Sequence, residues 1–510
     1  MSYFLKDNKV PVLIICALVF LAGCHMVRTP PAPSLLQVDT AKTEQAQEAR
    51  SFADDFIKDR KRQGKPTADA KATAAKIKDP AWKSIQKQRI NSEKNFTLTE
   101  LVDMALNNNP QTRQDWEQTR VARAQEKQAE SLLYPQLTIA QTITRQKQVS
   151  NIAGNSINNS YYGPSAQLTY LLLDFGGRTA SIESKFQKVL EANAQYDQSL
   201  QDLIRDVQKT YYAYYSAQSL VEASELDVKN TKTDYDAAQA KFDVGLVAKL
   251  DVLQAKSDYE NSLYNLESAK GQVKSTKADL AKVIGVSADT NFDIVAPVKD
   301  VPTGVTEEDV SRLIEESLSK RPDIKAFQAD LKSKKAAARA AFSDVLPNLN
   351  LGASAQQDRY RYYNSGGLKD NQRDYSAYLS VNWNVFDGFN NWNKKKEADY
   401  QAAIAFDKLV QAELDASSDV WVKYYDFSTA VQKLKFSRSY LETSENSYDL
   451  ALESYNAGLK SILDLVQSQS NLSQARSRLI QAKKDVFTSL AELAHSTGTP
   501  NIKIGLEKDK

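Results

Sequence analysis

Residues Tyr375-Ser376-Ala377-Tyr378-Leu379-Ser380-Val381-Asn382-Trp383-Asn384-Val385 alternate without a break. Tyr375, Ala377, Leu379, Val381, Trp383 and Val385 share one parity, and Ser376, Tyr378, Ser380, Asn382 and Asn384 the other. Successive side chains of a strand point to opposite faces, so the stretch predicts a strand with one apolar and one polar side. An earlier stretch repeats the pattern: Leu137, Ile139 and Ile143 alternate with Thr138, Thr142 and Thr144. With their neighbours these give two predicted pairs, strands at about 136–146 and 163–173 and at about 348–358 and 374–386. Loops rich in Asn, Gly, Ser and Tyr separate the members of each pair, over 150–160 and 356–373.

Outward from the strands, the chain repeats itself. Tyr134-Pro135-Gln136-Leu137 returns as Leu346-Pro347-Asn348-Leu349, an offset of 212 (347 − 135), and Asn109-Pro110 returns as Arg321-Pro322 at the same offset. Gly245-Leu246 with Leu250-Asp251-Val252-Leu253-Gln254 returns as Gly458-Leu459 with Leu463-Asp464-Leu465-Val466-Gln467, at 213. Solenoid units run to about 50 residues, so an internal tandem duplication of a whole helix–strand–strand–helix unit is expected, repeat 1 over 96–287 and repeat 2 over 305–498. A linker over 288–304 joins them, and a tail over 499–510 follows.

Between strands and glycines lie long helices. No Gly or Pro occurs from about 178 to 243, a stretch of on the order of 100 Å at 1.5 Å per residue. Ile182, Phe186, Val189, Tyr196, Leu200, Leu203 and Val207 step mostly by four and three. So do Phe406, Leu409, Val420, Tyr424, Phe427, Val431 and Leu434, and again Leu465, Leu472, Ala475, Leu479, Ala482, Val486 and Leu493. Such steps mark antiparallel coiled-coil hairpins, with tips at Gly245 and Gly458. Asp174-Phe175-Gly176-Gly177 and Phe386-Asp387-Gly388 form the strand-to-helix junctions, where glycine permits a sharp turn.

The start of the chain has the form of an export signal. Lys6 and Lys9 precede the apolar run from Val10 to Leu21, too short to cross a bilayer, which takes about 20 residues. It ends in Leu21-Ala22-Gly23-Cys24. This resembles a bacterial lipoprotein signal, with residues 1–23 removed, Cys24 lipidated and His25 next to it favouring the outer membrane. Residues 24–95 then form a tether, Pro-rich at first and with helices expected near 41–61 and 66–77.

Composition excludes several classes. Lys+Arg number 66 against 64 Asp+Glu, so no basic excess suggests nucleic acid. The only cysteines are Cys16 and Cys24, and the only histidines His25 and His495. That argues against a disulfide framework, a metal site and a His-centred active site. No phosphate-binding loop motif is present, and neither an enzyme nor a cofactor beyond the covalent lipid is expected.

One-sided strands of this length fit the wall of a transmembrane barrel. Four strands cannot close one, and an open edge does not survive in lipid. Several copies must therefore share a barrel. A soluble coiled-coil rod remains an alternative reading of the helices alone.

Taken in order and doubled, the X-Pro helix starts, paired strands, junctions and tips resemble the TolC family of outer-membrane channel-tunnel proteins, over about 96–498. The resemblance implies an α+β membrane protein and homotrimer. A 12-stranded transmembrane β-barrel would be built from four strands per subunit, above a periplasmic α-barrel of coiled-coil helices with a strand–helix belt midway. It implies tips that dock a periplasmic adaptor (Val244, Gly245 and Leu246; Ala457, Gly458 and Leu459), with Leu250 where a small hydroxyl residue is usual. It also implies an entrance constriction at Asp251, Tyr455, Lys460 and Asp464, with Gln467 where some members carry an acid. Asp251 and Asp464 read equally well as caps of the returning helices. Pro135, Asp174, Gly176, Pro347, Asp387 and Gly388 would form the junctions. The expected function is a passive exit duct for small molecules in a tripartite efflux pump, with an inner-membrane pump supplying the energy. The outer-membrane component of type I protein secretion is the alternative, and a structural periplasmic lipoprotein stands third.

Overall fold

The computed structural model describes residues 95–149, 156–297, 309–363 and 368–499. The signal segment, Cys24 and the expected helices of the tether lie outside the described residues. Short strand β1 (Asn95–Phe96) leads into helix α1 (Leu98–Asn108). The Thr97 hydroxyl accepts from the Glu100 N–H at 3.3 Å, and the Glu100 carboxylate accepts from the Thr97 N–H at 2.9 Å. This reciprocal capping fixes the helix start. Helix α2 (Pro110–Glu130) opens on proline at the one helical position where a missing N–H is harmless, and a 3₁₀ turn (Ser131–Leu133) carries the chain to Pro135.

Strands β2 (Gln136–Val149) and β3 (Ser156–Leu173) follow, then helices α3 (Gly177–Asp243) and α4 (Lys249–Val283). After β4 (Asp293–Ile294) the order recurs as α5 (Asp309–Lys320), α6 (Pro322–Ser343), β5 (Asn348–Tyr362), β6 (Leu368–Asn382), α7 (Asn390–Asn456) and α8 (Ile462–Ser496). Helices α3 and α7 each have 67 residues, and α4 and α8 each have 35.

Strands β2-β3-β5-β6 make one antiparallel sheet in that order, so β2 and β6 are its edges. The strands are longer than the sequence suggested. The Tyr-rich stretches expected as loops continue the alternation and pair across strands, as in Tyr161 with Tyr360 and Arg361 with Lys369. Aromatic cross-strand pairs stabilise a ladder that Asn and Gly alone would not. At the other end β6 stops at Asn382 rather than near 386, because Asn348 is its last partner and Pro347 precedes it; proline has no N–H to offer a ladder. The expected linker 288–304 is not wholly irregular either, since β4 pairs in parallel with β1.

Among the described residues four apolar clusters hold the helices, the smallest of them Ala122 of α2 with Val189 and Ala192 of α3. Leu101, Val207, Tyr211, Tyr214, Leu280 and Ile284 join α1, α3 and α4 beside Phe292. Val420, Tyr424, Phe427, Leu434, Val486 and Leu493 join α7 and α8 to α5. A third cluster lies near the tips and is shared by both hairpins. Of the heptad residues read from the sequence, Phe406 is exposed rather than buried. It lies in the first half of α7, which also exposes Trp392, Tyr400, Ile404 and Leu414.

Candidate functional site

The tips are built alike. At the end of α3, the Leu246 N–H donates to the Lys241 carbonyl at 2.9 Å and the Gly245 N–H to the Phe242 carbonyl at 2.8 Å. At the end of α7, Leu459 and Gly458 repeat this onto Ser454 and Tyr455 at 2.9 and 3.0 Å. The closure requires a left-handed residue, supplied by Gly245 (φ 75) and Gly458 (φ 76). Each turn then leaves two leucines in the open, Leu246 and Leu250 on one and Leu459 and Leu463 on the other, with Val244 beside them. Leu459 is 80% exposed.

Behind the tips the two hairpins meet. Tyr455 is buried with Ala238, Ala255, Ile462 and Leu465. Lys241 sits over its ring at 4.0 Å and its ammonium donates to the Tyr455 carbonyl. Burial, then the charges of Asp251 and Asp234, push the Tyr455 phenol up. Its hydroxyl is buried and has no hydrogen-bond partner among the described residues. Within one chain, then, Asp251 influences Tyr455 by charge without bonding to it. Asp464 caps α8: its carboxylate accepts from the Ser461 N–H at 3.1 Å and hydroxyl at 2.8 Å. Those bonds, with Lys460 nearby, hold its carboxyl below the usual range. Asp251 stands in the first turn of α4, where Ala248 offers no side-chain cap. Lys460 is exposed, whereas Tyr455 is buried.

A polar ladder continues up the contact between hairpins. The Tyr448 hydroxyl donates to Asp234 at 3.0 Å, Asn230 donates to Gln469 at 3.2 Å, and Arg476 pairs with Asp227 at 2.6 Å. Asp234 is 1% exposed. None of these groups stands out from the sequence alone. The available signal was a heptad seam in which Asp227, Thr231, Asp234 and Ala238 step by four, three and four, all of them buried.

At the junctions, the Asp174 carboxylate accepts from the Arg178 N–H at 2.6 Å and its Nε at 3.3 Å. The Arg178 guanidinium also reaches the carbonyls of Leu132 and Leu172, both at 3.3 Å. One side chain thus ties α2's exit, β3 and α3 together. Asp387 does the equivalent job by accepting from the Asn391 N–H at 2.9 Å, while the Asn391 amide donates to the Asp344 carbonyl at 3.0 Å. Phe175 and Gly176, then Gly388 and Phe389, take left-handed backbone there. Pro135 and Pro347 each stand one residue before a strand.

The sheet sorts its side chains by face. Register puts Leu137, Ile139 and Ile143 on one side with Ala166, Leu168, Ala353, Ala355, Ala377 and Leu379. Thr138, Gln167, Ser354 and Ser376 share the other, where the Tyr378 ring lies over Gly352 in the space a Cβ would fill. Exposed aromatics bracket the apolar band: Tyr162 and Tyr375 towards the hairpin turns, Tyr134 and Trp383 beside the helices. No helix among the described residues is long and apolar enough to cross a membrane.

A family model described as outer membrane efflux protein matches residues 101–286 and 313–499. The chain belongs to the outer membrane efflux protein family. Protein CyaE of Bordetella pertussis is 25% identical over 335 residues, 66% of this chain and 70% of that one. The toluene efflux pump outer membrane protein TtgC of Pseudomonas putida is 26% identical over 271 residues, 51% of this chain and 53% of that one, so the match spans about half its length. The outer-membrane channel OprN shares the fold, with a TM-score of 0.70 at 20% identity, covering 81% of this chain and 95% of that one. The family is one of outer-membrane channels, not of enzymes, and this member is mostly helical with a four-stranded antiparallel sheet.

Proposed function

We propose that this family member is the passive exit duct of a tripartite small-molecule efflux pump. Three copies join edge to edge, β6 of one beside β2 of the next, to close a 12-stranded barrel in the outer membrane. The tandemly duplicated α3–α4 and α7–α8 hairpins make the tunnel below it. One observation carries this reading: a four-stranded sheet with one apolar face, bracketed by aromatics at both ends, whose two edge strands have no partner strand among the described residues. Lipid satisfies no backbone N–H or carbonyl, so such edges must pair with other copies. Aromatic girdles flanking an apolar band are the mark of a barrel wall. The apolar stripe on the first half of α7 supports the same contact lower down.

The exposed leucines at the tips are the docking surface for a periplasmic adaptor; Asp251, Lys460 and Asp464 line the entrance the adaptor opens, and the buried Tyr455 stands behind them. Lipid on Cys24 anchors the chain to the same membrane. Small-molecule efflux is preferred to type I protein secretion on the likeness to TtgC, a toluene efflux protein by name. The mass of the particle solubilised in mild detergent tests the assembly: a trimer that conducts ions across a planar bilayer is expected. A water-soluble monomer without conductance refutes it. Unchanged sensitivity of a deletion strain to solvents and antibiotics, with loss of a secreted protein, would move the assignment to secretion.

A further inference from the structure

At the ends of the strands remote from the helices, the sheet sorts charge as well as polarity. Register places Arg145, Arg361 and Lys369 in one row across it, with Ser160 between the first two. Arg359 lies one row nearer the helices, opposite Tyr162 and Asn371. Lys147 and Arg373 share this face by the period of two. It is the face of Leu137, Ile139 and Leu379, which on the proposed reading meets lipid. The acids of the same stretch, Asp358, Asp370 and Asp374, fall on the opposite parity and face the lumen. Merely solvated hairpin ends would mix the two signs on both faces.

The cations are also arranged. Tyr363 has the Arg145 guanidinium 5.0 Å from its ring centre and that of Arg361 at 5.6 Å, and its hydroxyl is 3.2 Å from that of Ser160. Arg359 lies 5.9 Å from the Tyr162 ring centre. Aromatic faces hold guanidinium groups in place. Among the described residues none of the six cations has a carboxylate partner. Arg361 and Lys369 are direct cross-strand neighbours, and like charges so placed destabilise a sheet. The row therefore calls for an anion from outside the chain. The matching anion is planar or tetrahedral and oxygen-rich, and it must present itself at the rim of an apolar band. A membrane-anchored phosphate meets all these needs, and arginine forks bind phosphate bidentately.

We infer that this rim of Arg145, Lys147, Arg359, Arg361, Lys369 and Arg373 binds the phosphate groups of an anionic glycolipid in the outer leaflet around the barrel. The inference rests on the reading that these strands cross the outer membrane. Cationic side chains at this depth cost little, since lipid-facing Arg and Lys are penalised strongly only near the bilayer midplane. Binding would fix the height of the barrel and screen the repulsion within the row.

The test uses the full chain purified in detergent and placed in phosphatidylcholine vesicles that contain diphosphoryl lipid A, monophosphoryl lipid A or neither. Glycolipid retained per protein is counted by native mass spectrometry, and ion conductance is recorded in parallel. Retention is expected to follow the phosphate count and to resist competition by inorganic phosphate. Replacing Arg359, Arg361 and Arg373 together by Gln is expected to lower affinity by about a hundredfold, at about 1 kcal/mol per basic group near a charged surface and about 1.4 kcal/mol per factor of ten, while conductance persists. Unchanged retention in a conducting variant overturns the inference alone. Inorganic phosphate displacing the lipid would make the site one for free anions and also overturns it. If the variant does not fold, equal retention of the two lipid A forms by the unaltered protein has the same force. A protein that neither inserts nor conducts in any vesicle removes the membrane reading itself, and the inference with it.

Discussion

Asp234 is the most consequential single group in the helical body. It is 1% exposed, one carboxylate oxygen accepts from Tyr448 at 3.0 Å, and the other has no partner among the described residues. Burial raises its pKa from the ordinary 3.8 to about 7; the Tyr448 bond pulls it back down and the charge of Asp258 adds to the rise. One pKa unit corresponds to about 1.4 kcal/mol, so the shift amounts to roughly 4 kcal/mol of pH-dependent stability. The sign follows from which state holds the proton. Below about pH 4 the carboxyl is neutral both folded and unfolded, and no penalty applies. Between about pH 4 and 7 the unfolded chain releases the proton while the folded one keeps it, so stability falls as pH rises. Above about pH 7 the full penalty persists. Asp234→Asn retains an acceptor for Tyr448 and cannot ionise. Its melting temperature, followed by helical circular dichroism in detergent, should lose the decline between pH 4.5 and 7.5 and exceed that of the unaltered protein at pH 8. Tyr448→Phe should extend the decline to higher pH by removing the one bond that favours the anion. Parallel pH profiles for Asp234→Asn and the unaltered protein would refute the buried-acid argument.

Three further outcomes follow from the tips and junctions. Asp464→Asn should weaken block of the channel by multivalent cations in planar bilayers; unchanged block would count against a pore-lining position. Leu246→Asp combined with Leu459→Asp should abolish capture of the periplasmic adaptor while leaving the trimer's mass and conductance intact, which co-purification and bilayer recording would read separately. Arg178→Ala removes the guanidinium bonds to the Asp174 carboxylate and to two carbonyls while leaving the backbone N–H bond to Asp174; hydrogen bonds to charged groups contribute about 1.5–3 kcal/mol each, and less where exposed, so thermal stability should fall by a few degrees, and an unchanged melting temperature would show that the three elements do not depend on this clasp.

The sequence carried the fold well because its strongest signals are periodic. A period of two over Tyr375–Val385 and long heptad runs free of Gly and Pro leave little choice of element. Helix starts were legible from Pro110 and Pro322, and helix ends from Gly245 and Gly458, since each of these residues is stereochemically restricted or uniquely permissive. Strand ends were not. Whether Tyr360 to Tyr362 are loop or ladder depends on which residues lie opposite, and Tyr161 and Asn159 are some 200 residues away in sequence. The buried polar seam was hidden for a related reason. Asp227 and Asp234 look like a solvated helix face until the partner residues Arg476 and Tyr448, on other helices, are known.

The two tips close with the same backbone turn, which makes the difference at their caps informative. Ser461 and Asp464 cap α8 reciprocally, and Ala248 stands at the corresponding position of α4, 213 residues earlier (461 − 248). Asp464 thus has donors on its own helix that fix it in place, and its carboxyl is held low by them. Asp251 has the helix N-terminus but no capping hydroxyl, and its charge acts on the buried phenol of Tyr455 instead. The two acids, equivalent by position, are therefore unequal in what they can do: one is committed to ending a turn, and the other remains to act across the contact between hairpins. Any movement that separates the α3–α4 tip from α7 must break the Lys241 contact with Tyr455 and change the field that Asp251 exerts there. Of the two aspartates, Asp251 is the one whose environment is altered by opening.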